Sequence, residues 1–281
     1  REQRSIKEFV SKQKETMAEL EREGTIDRVE GVIHNSAPAE TVLKLYGINK
    51  WAGENKIDIV LHIHFNDEPT RRYKKEGKYL GFAIYVPEKQ YSNAKASRAI
   101  AESVFNQLNK FYPKSNLPKE ETGVVEDQRL IAVGAHNTLD SVGMLIEYGY
   151  IYEPQFSDEK IRSLIIRDLA FQTYAGLVGF FDTDQKKSFA YNTILLPHKW
   201  DEYPQKGEKN AKGVLALQAA LNLEKVYPPI GFDRYECPIT GNFGNCTSLA
   251  LKNFQEKYGI KNEMGKVGEM TKKKLNELYS R

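Results

Sequence analysis

The run Ile57-Asp-Ile-Val-Leu-His-Ile-His-Phe65 constrains the fold of this chain more than any other stretch. It is short, β-branched and largely apolar, which is the pattern of a buried central strand in an α/β sheet. Gly81-Phe-Ala-Ile-Tyr-Val86, closed by Pro87, reads as a second strand, and Leu130–Val133 and Met144–Glu147 as two more. Helical periodicity falls between them. Residues 5–23 place Ile6, Phe9, Val10, Met17 and Leu20 on one side and end at Gly24. Further helices are expected over 39–54, over 92–111 and from Ser157, the expected N-cap, to about Phe181. Strands alternating with helices predict an α/β fold, a mixed sheet covered by helices on both faces.

Periodicity fades over 184–207, which reads as a linker whose Thr193–Pro197 segment could pack on either side. A small all-α module of three short helices is expected over 208–281, after a larger domain over 1–183. Inside the module, Gly241-Asn-Phe-Gly-Asn-Cys-Thr247 and Gly265-Lys-Val-Gly-Glu-Met-Thr271 repeat one G-x-[FV]-G-x-x-T pattern. Thr247 and Thr271 are placed to cap the helices that follow.

The 41 basic and 38 acidic residues leave a net charge of +3, too even to indicate a nucleic-acid binder. No apolar run approaches the length of a membrane span. The opening Arg1-Glu-Gln-Arg-Ser carries neither Met nor the apolar core of a signal peptide, so residues upstream of Arg1 are expected. Cys237 and Cys246 are either two free thiols or, in an exported protein, a local disulfide. A monomer is expected.

His62 and His64 lie two apart on the predicted strand and so share a face. Metal ligation or acid–base work competes there with simple bonding to neighbouring loops. Glu147 ends the apolar run Val142–Ile146, where a carboxylate needs a cation or donor beside it. It reads as a general base or as a structural ion-pair partner. His34 fits a loop-capping role, and His136 and His198 sit in polar segments and are expected to be exposed.

At this point the residues resemble a known family. Asp58-Ile-Val-Leu-His-Ile-His64-Phe-Asn66 is similar to the D-x-x-x-S-I-H-x-N strand of the zinc-dependent N-acetylmuramoyl-L-alanine amidases, with His64 on a zinc ligand. Met144-Leu-Ile-Glu147-Tyr-Gly149 resembles that family's V-E-x-G-F motif, whose Glu is catalytic. Order and spacing agree over about residues 43–182. No G-H-G turn occurs in this chain, so the resemblance places the family's opening strand and its remaining zinc ligands before Arg1; His34 is a weaker candidate. The 208–281 module resembles the three-helix peptidoglycan-binding domain through Gln218, Gly241–Gly244, Thr247, Phe254-Gln255, Gly265–Gly268 and Thr271. Tyr227–Cys237 looks like an elongated first loop in it.

The resemblance implies a secreted, cell-wall or periplasmic zinc hydrolase that cuts the amide joining N-acetylmuramic acid to L-alanine. Glu147 would be its base and His64 a metal ligand, with His62 beside it as a supporting or substitute ligand. Asn66, Gly244 and Thr247 are candidate substrate-binding residues, and peptidoglycan is the implied partner. Two rivals stand beside it: a non-catalytic wall-binding protein with a degenerate amidase domain, and a zinc peptidase acting on stem peptides.

Overall fold

The computed structural model describes residues 2–28, 38–68, 71–72, 75–182 and 191–281. Helix α1 (Glu2–Arg22) buries Ile6 and Met17. It stops at Gly24, whose φ of +70° lets the Thr25 N–H reach Leu20 O at 2.9 Å and its own N–H reach Glu21 O at 3.1 Å. Helix α2 (Ala39–Glu54) buries Tyr46 in a cluster with Ile6, Ile131 and Ala135.

Strands β1 (Ile59–Asn66), β2 (Ala83–Val86), β3 (Val124–Glu126) and β4 (Val142–Tyr150) form one mixed sheet in the order β1-β4-β2-β3, with helices around it. β2 runs parallel to β3 and antiparallel to β4, with Ala83 opposite Glu147 and Tyr85 opposite Leu145. The Val142 N–H donates to Asp58 O and the Ile151 N–H to Asn66 O, so β1 and β4 run the same way. Helix α3 (Ala94–Leu108) turns Ile100, Ala101, Val104 and Leu108 inward.

Several expectations need correction. Among the described residues β1 lies at the edge of the sheet, not its centre, and Ile63 is 58% exposed. A continuous apolar run reports an affinity for burial and says little about which neighbours supply it. Leu130–Val133 is no strand: Ile131–Val133 is a 3-10 turn ended by Gly134 at φ +98°. Its apolar side chains are buried by packing on the sheet and on α2, which a strand would also achieve. β3 has only three residues, too few for an alternation to show.

Helix α4 (Pro154–Ser157) precedes α5 (Glu159–Phe181). The cap of α5 is Asp158, which accepts from the Lys160 and Ile161 N–H groups, while the Ser157 hydroxyl donates back to Pro154 O. A carboxylate offers the helix N-terminus a full charge, so it wins this position over the neighbouring hydroxyl. By length and composition α5 is long and apolar enough to cross a bilayer, which the run-length reading passes over. Its inner side, Ile161, Ile165, Asp168, Leu169 and Gln172, is nevertheless buried in protein.

Helices α6 (Lys212–Leu223), α7 (Asn245–Lys257) and α8 (Glu269–Tyr279) make the C-terminal helical region. The chain divides into two compact units. One comprises Arg1–Phe65, Phe82–Phe105 and Leu117–Tyr148; the other Asn66–Gly81, Asn106–Asn116 and Gly149–Arg281. Within the second unit, residues 191–207 form a strap. Thr193 Oγ and the Ile194 N–H donate to Asp168 of α5, at 2.7 and 3.0 Å. Trp200 exchanges two bonds with Asn276 of α8 and donates from Nε1 to Gly213 O of α6 at 2.9 Å.

Candidate functional site

His64 and Glu147 stand near the C-terminal ends of β1 and β4. His64 Nδ1 lies 3.7 Å from Glu147 Oε1, an ion-pair contact longer than a hydrogen bond. The carboxylate facing it raises the His64 pKa above its ordinary value, against the opposing effect of partial burial. His62 shares the face, its ring 6.3 Å from that of His64 and nearly perpendicular to it. Burial, then the charge on His64, lowers the His62 pKa. Two buried atoms here have no hydrogen-bond partner among the described residues, His62 Nε2 and Glu147 Oε2. Buried polar atoms are normally satisfied, so each of these two is open to a partner that the described residues do not supply.

The register extends the face. Tyr85, two residues from Ala83, points to the same side as Glu147. Its hydroxyl donates to the buried Glu120, whose Oε2 also lacks a partner. Burial, and next the bond to Glu120, raises the Tyr85 pKa. No sequence signal marks Glu120, because its partner is 35 residues away.

A catalytic zinc takes three protein ligands and keeps one position open. Among the described residues no group of three or more His, Cys, Asp or Glu side chains is placed to hold a metal ion. The described residues therefore do not complete a zinc site. His34 lies outside the described residues. Asn66 is the last residue of β1, and its backbone oxygen accepts from Ile151.

His136 and His198 are half-buried, not exposed. His136 sits in a left-handed turn at φ +60°, and His198 packs edge-on against Trp200 at 4.8 Å while its N–H donates to Tyr279 O. The His198 placement also depends on Tyr279, 81 residues on, which no local pattern records.

In the C-terminal region the repeated motif has a shared chemistry. The threonines do not cap their helices: Gly244 and Gly268 hold the cap positions. Thr247 and Thr271 are buried inside the first turn and serve as acceptors for glutamines instead. Gln218 Nε2 donates to Thr247 Oγ and to Asn242 O, each at 3.0 Å, and its Oε1 accepts from the Thr240 and Gly241 N–H groups. Gln255 repeats this on Thr271, Glu263 O, Lys266 O and the Gly265 N–H, at 2.7–2.8 Å. Each glutamine thus ties a glycine turn to the helix after it.

The second motif adds a cap that the first lacks. Glu263 accepts from the Met270 and Thr271 N–H groups at 2.9 Å. A Cβ on Gly268 would meet Glu263 Cδ at 2.3 Å, so a side chain there would push the Glu263 carboxylate off this cap. Gly244 is exposed, with nothing within 4 Å of an added Cβ. Cys237 and Cys246 form a disulfide that closes the elongated loop onto α7.

Residues 210–275 match a family described as "Putative peptidoglycan binding domain". No curated protein matches the chain. The solved structures similar to it include the apo form of the N-acetylmuramyl-L-alanine amidase Ami1 from Mycobacterium abscessus, at 13% identity and a TM-score of 0.34 over 48% of this chain. The chain spans 58% of the length of that protein. Ami1 from Mycobacterium smegmatis is 15% identical, with a TM-score of 0.36, over 64% of this chain and 76% of that one. Likenesses this distant carry no argument about fold or chemistry.

Proposed function

We propose that this chain is a cell-wall hydrolase: its C-terminal module holds peptidoglycan, and its sheet cleaves the amide between N-acetylmuramic acid and L-alanine. The observation that carries the catalytic half is the pairing of His64 with Glu147 on adjacent strands, with a free carboxylate oxygen beside it. The match over residues 210–275 supports the binding half. The identity of the amide comes from the two strand motifs alone.

Glu147 is the base. As water adds to the amide carbon, the carboxylate takes its proton; as the C–N bond breaks, it returns a proton to the leaving L-alanine nitrogen. The products are a lactyl carboxylate and a free amine. His64 faces the Glu147 carboxylate across 3.7 Å. His64 would be one ligand of a catalytic zinc, its other ligands lying outside the described residues, and the metal would polarise the amide carbonyl and lower the pKa of a bound water. The Cys237–Cys246 disulfide fits an oxidising location outside the cytoplasm.

Mass spectrometry of digested muropeptides tests this. The wild type should release stem peptides with a free L-alanine amine, and Glu147→Gln should be slower by about 100- to 10,000-fold. Near-normal turnover by Glu147→Gln would show that Glu147 is not the base. His64→Ala should lose zinc affinity; unchanged zinc content would remove His64 as a ligand. One observation favours a second reading, a wall-binding protein without activity: the incomplete ligand set among the described residues. Wild-type protein that sediments with sacculi yet releases no peptide would establish it, and cleavage within the stem would indicate a peptidase.

A further inference from the structure

The strap and the start of α6 border an open cavity of about 400 Å³ that the proposed activity does not use. His198, Trp200, Asp201, Tyr203, Glu208 and Lys212 line it. All but Lys212 precede residue 210, where the family match begins, so the cavity exists only because the strap packs on the module.

Its walls are fixed. Trp200 is 2% exposed and pinned by Asn276 and Gly213. The His198 ring packs edge-on against it at 4.8 Å. Tyr203 donates its hydroxyl to Glu269, and the Lys272 ammonium sits 4.0 Å from the centre of its ring, which sets the plane of the aromatic face. Burial, then the nearby Lys212, lowers the His198 pKa and so favours the neutral imidazole, which offers one donor and one acceptor.

The charges around the cavity are mixed. Lys199 and Lys212 face Asp201, Glu202 and Glu208, and Lys199 already pairs with Asp201 at 3.1 Å. An anion would meet three carboxylates and a cation two ammonium groups. A neutral ligand rich in hydroxyl and amide groups can use both kinds of partner and lay an apolar face on the aromatic wall. The volume falls within the range of small-molecule sites.

We infer that this cavity is a saccharide subsite, which takes an uncharged N-acetylated hexosamine unit of a glycan strand. The inference rests on the peptidoglycan reading of the module and adds the sugar to what that module holds.

The test uses the full chain carrying Trp51→Phe, which leaves Trp200 as its one tryptophan. Tetra-N-acetylchitotetraose should shift the Trp200 emission in a saturable way, and a sugar-free stem peptide should not. Truncating an aromatic anchor with Tyr203→Ala should weaken sugar binding by at least about tenfold. If that variant melts early, Lys212→Ala, on an exposed side chain, should still lower the affinity with an unchanged melting temperature. No response to the sugar, a response to the peptide alone, or wild-type affinity in both variants would overturn the inference. Sedimentation with sacculi separates the two readings. Wild-type chain that sediments without any sugar response loses the cavity assignment and keeps the module's role; chain that fails to sediment loses the peptidoglycan reading itself.

Discussion

Replacing Trp200 with alanine tests whether residues 191–207 are a strap or a loose connector. The side chain is 2% exposed, and an indole of this kind buries about 200 Å². At about 25 cal/mol per Å² that burial contributes about 5 kcal/mol, an upper figure because unfolded chains are partly collapsed. Losing the Nε1–Gly213 bond adds about 1 kcal/mol. The two bonds with Asn276 involve the Trp200 backbone, so alanine keeps them. Partial collapse of the site offsets some of the loss, which leaves about 3–5 kcal/mol, as for other buried aromatic truncations. Hydrogen exchange reads this locally. Amides of α6 and α8 should lose about a thousandfold in protection, since about 1.4 kcal/mol is a factor of ten. Protection within about threefold of wild type, at well under 1 kcal/mol, would refute the strap and restore a loose linker.

Gln255→Ala strips partners from the Gly265 N–H, two carbonyls and Thr271, and should cost about 2–4 kcal/mol in urea unfolding. Gln218→Ala should cost a similar amount, and a neutral result in either would break the equivalence of the two motifs. Burial raises the Asp168 pKa despite bonds from Thr193, Tyr112, Ile194 and Gln172. Its stability contribution is therefore full below the unfolded value of about 3.9 and is lost as pH rises through the higher folded value. Melting temperatures of wild type and Asp168→Asn should accordingly shift in the variant's favour from acid to neutral pH, and the opposite trend would reverse the sign of the shift. Cys237→Ser with Cys246→Ser opens a short loop and should lower stability by about 2–3 kcal/mol by chain entropy; a melting temperature unmoved by the double change would show the crosslink to be idle.

The elements that the sequence makes legible are those whose evidence is repeated along the chain. In α1, Ile6 and Met17 recur on one face and Gly24 marks the stop, so the boundaries agree to within a few residues. His64 and Glu147 are legible for another reason, because each stands at a fixed place in a strand motif and the strands pair side by side. What stays hidden depends on single residues that meet partners far away. Glu120 finds Tyr85, Trp200 finds Asn276 76 positions on, and Thr193 finds Asp168 across 25. None of these needs periodicity, and a segment held by a few such anchors looks like a linker. The same cause explains Leu130–Val133: its burial is real, but the Gly134 turn that decides its backbone sits just beyond the apolar run. Burial follows from the side chains of a segment, while its path follows from the partners that satisfy its backbone. The strap shows the consequence for function, since one wall of the cavity beside Trp200 is built from residues 198–204, which a periodicity reading leaves outside both domains.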